Sequence, residues 1–199
     1  TNDNARKEAI YKKTVELYPN DYRAYNNLGM MAYANGDLAT AENYFKQAAS
    51  KSSNAAEVNT NLGLIELTKG NVANAETYLS KSTGANTANE ALGNLYIKQG
   101  QYDRAVNAFG DAKTNSAALA QILAKDYNKA KNTLANVTRP DAYTDYLMAV
   151  LGARTNNSSM VTSSLKSAIA KEPALAKKAA TDLEFSKFFT NADFMSIIK

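Results

Sequence analysis

Two tetrads, Ser163-Ser164-Leu165-Lys166 and Ser196-Ile197-Ile198-Lys199, place a hydroxyl three residues before a lysine that could take its proton, the arrangement of a serine nucleophile. No Lys-Thr-Gly or Ser-Asp-Asn accompanies them, and Leu165 and Ile197 fit helical core positions, so neither is a credible nucleophile. Asp141 and Asp145 are carboxylates one helical turn apart, whereas glycoside hydrolysis needs its pair on opposite sides of a cleft. A helix start, which favours acidic side chains, explains Asp141 better. The chain has no Cys and no His, which removes thiolates, disulfides, imidazole bases and the usual zinc ligands together. No glycine-rich phosphate loop follows a strand. The expectation is a protein that is not an enzyme, with no catalytic residue, no metal site and no cofactor.

The elements that would position any site follow from composition and spacing. With 199 residues, 45% hydrophobic and 21% charged, the chain has the makeup of a globular protein able to bury a core. Lys and Arg number 23 against 19 Asp and Glu, and the excess of four is spread out. The pairs Arg6-Lys7, Lys12-Lys13 and Lys177-Lys178 are isolated from one another, which argues against a nucleic-acid stripe. The longest apolar stretch, Tyr146 to Ala153, is far below the ~18 residues of a membrane span. The start, Thr1 to Glu8, carries neither an initiator Met nor an apolar signal core, and so reads as a processed or excised piece.

Self-similarity organises the rest. Leu28-Gly29 returns as Leu62-Gly63 and Leu92-Gly93; Gly36-Asp37 returns as Gly70-Asn71 and Gly100-Gln101; Ala41 returns as Ala75 and Ala105. All three markers move by the same two intervals. Ala41 with Phe45, Ala75 with Leu79, Ala105 with Phe109 and Ala130 with Leu134 are i, i+4 pairs on one helical face, so each unit is two helices. Gly and Ala let two helix axes approach, and the glycine of each turn pair supplies the left-handed link between them. Thr87 with Glu90 and Asn54 with Glu57 have capping-box spacing, while Pro19 and Pro173 mark helix ends.

Tyr25-x-x-Leu28-Gly29 followed by Ala41-x-x-x-Phe45, and Asn89-x-x-Leu92-Gly93-x-x-Tyr96 followed by Ala105-x-x-x-Phe109, resemble the tetratricopeptide repeat. The resemblance covers nearly the whole chain. It implies an all-α solenoid of antiparallel helix pairs: a half repeat at 3–21, repeats at 22–55, 56–85, 86–114, 115–139 and 140–173, and a capping helix at 174–199. Asn59 and Asn89 replace the usual aromatic, the fifth unit is compressed, and the sixth has Ala149 and Val161 at the marker sites. Residues 3–21 supply only a second helix, whose natural partner would lie upstream. Four of the six Phe fall in Phe185 to Phe194, where they either close the stack or dock another chain.

At about 100° per residue, the Leu-Gly stripe faces the partner helix and the other face of each first helix is left over. That face carries Arg23, Asn26, Met30 and Tyr33, then Glu57, Thr60, Leu64 and Leu67. It continues with Glu90, Asn94, Ile97 and Lys98, and ends with Tyr143, Tyr146 and Arg154. These are the candidate groove residues for a protein or peptide partner, with Tyr33, Leu64, Leu67, Ile97 and Tyr146 as apolar anchors. Alternatively, Met30, Leu64 and Ile97 pack on the neighbouring first helix. In the family this groove is the usual peptide-binding surface. Whole phrases, Tyr18-Pro-Asn-Asp-Tyr-Arg-Ala-Tyr-Asn-Asn-Leu-Gly29, Asn107-Ala-Phe-Gly-Asp111 and Ala180-Thr-Asp-Leu-Glu-Phe185, resemble the C-terminal repeat region of Bacteroides-type envelope proteins. There a lipoprotein anchor and an OmpA-like domain precede the repeats. That resemblance implies a chain at the periplasmic face of the outer membrane, with upstream domains of the same polypeptide as partners. The expected function is a protein-interaction scaffold, the alternative a structural spacer or self-association module.

Overall fold

Proline has no amide hydrogen to donate and disfavours helix in the residue before it. The helix α1 (Asn2–Leu17) accordingly ends before Pro19, and α11 (Ser158–Lys171) before Pro173. The computed structural model describes residues 2–82 and 84–199, which are helical with no strand among them. Between those helices lie α2 (Tyr22–Ala34), α3 (Leu38–Lys51), α4 (Ala56–Thr68), α5 (Val72–Ser80), α6 (Asn86–Lys98), α7 (Tyr102–Phe109), α8 (Asn115–Leu123), α9 (Tyr127–Ala135) and α10 (Ala142–Arg154). After them come α12 (Ala174–Ala179), a 3-10 helix at Leu183–Phe188, and α13 (Ala192–Ile197). One capping helix was expected from 174 onward, and three short segments stand in its place. Asp182 and Asn191 explain the breaks, since their side chains accept hydrogen bonds from the amides of Glu184 and Phe194 and start new turns.

The chain forms two compact units, Thr1–Leu92 and Gly93–Lys199, and α6 contributes residues to both. In the first unit, Tyr25, Ala41, Phe45, Ala48, Val58, Leu62 and Ile65 form one core. In the second, Ile122, Leu134, Leu147, Leu151, Leu165, Phe185 and Phe194 belong to another. Each fully buried Val, Leu, Ile or Phe side chain among these stabilises its unit by roughly 1.5–3 kcal/mol.

The repeat markers have a common geometric cause. A β-carbon added at Gly29 would lie 2.6 Å from the Phe45 ring, one at Gly63 would lie 2.5 Å from Leu79, and one at Gly93 would strike Phe109. Glycine is what lets the first helix of each pair sit directly on the large side chain of the second. In the sixth unit the close approach shifts by about one turn: an added carbon at Gly152 would meet the Val161 backbone nitrogen at 2.9 Å. The turn site has positive φ at Gly36, Gly70 and Gly100, and the same site is held by Lys125 (φ 64°) and Asn156 (φ 53°) in the two later pairs.

The expected capping boxes do not form. Ala55 is the N-cap of α4 and offers no side-chain acceptor, and Thr87 lies inside α6. Besides Asp182 and Asn191, side-chain caps among the described residues are Asp21, Asp37, Thr114, Asp126, Asp141 and Asn157, each accepting from a backbone amide. Among the described residues Asp141 forms a full box, its own amide donating back to the Thr144 hydroxyl.

Candidate functional site

In the first unit, two side-chain hydrogen bonds join α2 to α4. The Tyr22 hydroxyl donates to Glu57 Oε1 at 2.6 Å, and Asn61 Nδ2 donates to Asn26 Oδ1 at 2.9 Å. One turn beyond Asn26 on α2, Met30 is 46% exposed and Tyr33 37% exposed. The corresponding α4 side chains, Leu64 and Leu67, are half-buried and stand outside the apolar cluster of this unit. Helical arithmetic therefore identifies a row of apolar side chains that the unit's own core does not absorb.

The polar members of that row are already engaged. Arg23 donates through Nε and Nη2 to Asp21, and this contact together with the Arg23 amide holds the Asp21 carboxyl down at about 2. Glu57 accepts the Tyr22 hydrogen bond, which keeps its carboxyl below the ordinary glutamate range. Asn26 and Thr60 are buried, which corrects their place among exposed groove residues. The Thr60 hydroxyl donates to the Ala56 carbonyl of its own helix at 2.8 Å, the local bond that a mid-helix threonine makes most readily.

On the other side of α4, Glu66 is almost fully buried and its carboxylate accepts from Lys69 at 2.8 Å, Asn71 at 3.0 Å and Asn74 at 3.1 Å. Lys69 also reaches Glu42 of α3, which Lys46 contacts at 2.7 Å. Both carboxyls are held below their usual value, Glu66 chiefly by Lys69 and Glu42 chiefly by Lys46. A depressed folded-state value means that the unfolded chain binds the proton first as pH falls. The stabilisation is thus complete above the ordinary glutamate value and is lost as pH drops through that range towards the lower folded-state value. Urea midpoints measured down a pH series are expected to fall more steeply for the natural chain than for Glu66→Gln, whose curve lacks this contribution.

On α6, Glu90 and Lys98 are exposed, and Asn94 and Ile97 are half-buried. In the second unit the groove-side positions of α10 are not open. Tyr146 is 2% exposed, and its hydroxyl donates to Asp182 Oδ2 at 2.7 Å. Phe185 packs edge-on against the Tyr146 ring at 5.6 Å. Tyr143 stacks on Tyr146, and the Lys178 ammonium sits 5.0 and 4.7 Å from their ring centres. Burial, reinforced by Asp182, pushes the Tyr146 hydroxyl well above the usual tyrosine range. Arg154 forks onto Glu184 at 2.8 and 2.5 Å and also donates to the Ile122 carbonyl. Tyr146 and Arg154 are therefore corrected from partner contacts to intramolecular ones: the chain's own residues 182–185 cover them. The expected alternative, docking through the Phe-rich end, meets the same obstacle, since Phe185, Phe188 and Phe194 are buried.

The residues read for chemistry have structural employment. The Ser163 hydroxyl donates to Ser159 O and that of Ser196 to Asp193 O, each within its own helix. Asp141 caps α10, and Asp145 receives Lys171 and Ser167 at 2.8 and 2.7 Å. Among the described residues no cluster of three metal-ligating side chains occurs, and no helix is long and apolar enough to cross a membrane.

Three family models described as tetratricopeptide repeat match residues 10–43, 32–90 and 89–115. Among solved structures, a tetratricopeptide repeat protein from Parabacteroides merdae is 20% identical, with a TM-score of 0.70 over 89% of this chain and 77% of that one. YrrB, described as a TPR protein with an unusual peptide-binding site, is 21% identical, with a TM-score of 0.67 over 84% of this chain and 97% of its own. Pseudomonas aeruginosa pilF is 14% identical, with a TM-score of 0.67 over 94% and 89%. Likenesses at these identities establish the fold alone. No curated protein matches the chain in sequence.

Proposed function

As a tetratricopeptide repeat protein, the chain has a fold that generally serves as a protein-interaction scaffold, and we propose that it binds a protein segment on the α2–α4 face of its first unit. The observation that carries this reading is the exposure of Met30 and Tyr33 beside Leu64 and Leu67, an apolar row outside the core. An apolar patch that the core does not absorb is a recognised mark of an interaction surface. YrrB, described as binding a peptide on the same fold, supports the reading by analogy.

The proposed setting is the cell envelope, at the periplasmic face of the outer membrane, within a larger polypeptide of the Bacteroides OmpA-like and lipoprotein kind. The three phrases quoted from the sequence support it. Fractionation of the source cells tests it directly, because a cytosolic location of the native polypeptide would rule it out.

For binding itself, the test is a Met30→Glu, Leu64→Glu double variant used beside the natural chain as bait in a solubilised envelope fraction. Both positions lie outside the core, so helicity by circular dichroism is expected to be unchanged. Affinity for the captured partner is expected to fall roughly tenfold or more, since two carboxylates would have to be desolvated on binding. Equal affinity of the two chains would remove the face from consideration and leave the spacer reading.

A further inference from the structure

The first unit contains two copies of one groove, and only one of them is filled. Between α3 and α4 its walls include Ala41 and Phe45 from α3 and Ile65 from α4, and α2 occupies it. Tyr25 and Ala32 of α2 pack into the same cluster, Gly29 sits on the Phe45 ring, and Asn26 accepts from Asn61. Beneath α2, Ala41, Phe45 and Ile65 are at most 1% exposed. Stepping back by the 34 residues that separate Leu28 from Leu62 turns these walls into Lys7, Tyr11 and Met31, and turns Asn61 into Asn27. Those four residues line one cavity of about 240 Å³ between α1 and α2. There Tyr11 and Met31 are only half-buried, and Lys7 is exposed with its ammonium held by Asp3 at 2.9 Å. Two further polar residues of the cavity, Asn4 and Asn35, map onto Leu38 and Lys69, which stay partly or fully exposed even with α2 in place. They belong to the rim.

The filled groove shows what the other accepts. A helix can approach Tyr11 as α2 approaches Phe45 only with a small residue at the crossing. Asn27 stands where Asn61 donates to Asn26, three residues before Gly29, so an acceptor at that spacing answers it. Lys7 in place of Ala41 adds a condition: its stem must lie along the occupant with the ammonium left in water at the edge. A second copy of the chain offers no spare helix of this pattern, because Gly29, Gly63 and Gly93 already sit on Phe45, Leu79 and Phe109. We infer that the α1–α2 groove receives one further helix, from outside residues 1–199, built as α2 is: Gly or Ala over Tyr11, and Asn or Gln three residues earlier against Asn27. Met30 would then stand as Leu64 does, half-buried beside the neighbouring helix, so the inference is independent of the α2–α4 face.

A copy of residues 20–37, joined ahead of residue 1 of the whole chain, tests this by holding an α2-type helix near the groove at high effective concentration. The copy is expected to slow amide hydrogen exchange from Tyr11 to Val15 by roughly tenfold or more relative to the natural chain. Gly29→Phe in the copy alone is expected to abolish that protection, and it leaves residues 1–199 untouched. Met31→Glu in the chain is expected to abolish it from the other side. Unchanged exchange on adding the copy would overturn the inference, as would protection that survives Gly29→Phe in the copy. Sedimentation of the natural chain covers the remaining occupant: a dimer that Met31→Glu dissolves would mean that a second copy fills the groove, and the outside helix would have to be given up.

Discussion

Phe185→Ala is expected to destabilise the second unit by about 3–5 kcal/mol, read as a lower urea midpoint at constant helicity of the starting state. The ring is fully buried and contacts Tyr146 edge-on and Phe194 at a tilt, both at 5.6 Å between centres. Its removal leaves a cavity that α10 cannot fill, since the Tyr146 hydroxyl is anchored on Asp182. The polar contacts of the same segment are worth less. Arg154 and Glu184 keep 23% and 31% of their side-chain surface exposed, so solvent screens the pair and Glu184→Gln is expected to cost about 1 kcal/mol or less. The ratio of the two effects separates a segment held by its core from one held by its charges. A loss below about 1 kcal/mol for Phe185→Ala would mean that residues 182–189 are not an integral part of the fold.

That segment also marks where reading the sequence stops short. The Leu-Gly, turn and Ala markers were legible because a close helix crossing can be built only from small residues, and the geometry at Gly29, Gly63 and Gly93 shows that requirement directly. The exposed pair Met30 and Tyr33 was legible for a similar reason, since helical periodicity alone decides which face turns away from the Leu-Gly stripe. Tyr146 and Arg154 stand at equivalent positions on α10, and the same arithmetic fails for them. What covers them, Asp182, Glu184 and Phe185, lies some thirty residues later in the chain, and no local pattern records that return. The Phe cluster signalled a buried end without saying which face it buries against. Lys125 and Asn156 were missed as turn residues because positive φ in a non-glycine residue is imposed by its surroundings. Thr60 could have been placed from sequence, since its hydroxyl bond to Ala56 is wholly local.

Gly29→Ala is expected to cost the first unit about 2 kcal/mol even though alanine is the better helix former. Propensity favours the substitution by about 1 kcal/mol, while overpacking a filled core costs about 1–3 kcal/mol or more. Two ring atoms of Phe45 stand 2.6 Å from where the new carbon would sit, and the ring, 1% exposed, has nowhere to swing. The chain itself contains the compensated solution. Phe45 and Phe109 lie opposite Gly29 and Gly93, whereas the corresponding sites of the fifth and sixth pairs combine Ala118 with Leu134 and Ala149 with Leu165. Leucine opposite the glycine is not enough by itself, since a carbon added at Gly63 would lie 2.5 Å from Leu79, but the alanine–leucine combinations of the fifth and sixth pairs are accommodated in a filled core. Gly29→Ala with Phe45→Leu is therefore expected to be more stable than the sum of the two single losses predicts, by a coupling of about 1–2 kcal/mol in a double-mutant cycle. Strict additivity would mean that the glycine is there for backbone reasons and not for the contact with the ring, and the link between the Leu-Gly marker and close helix packing would have to be given up.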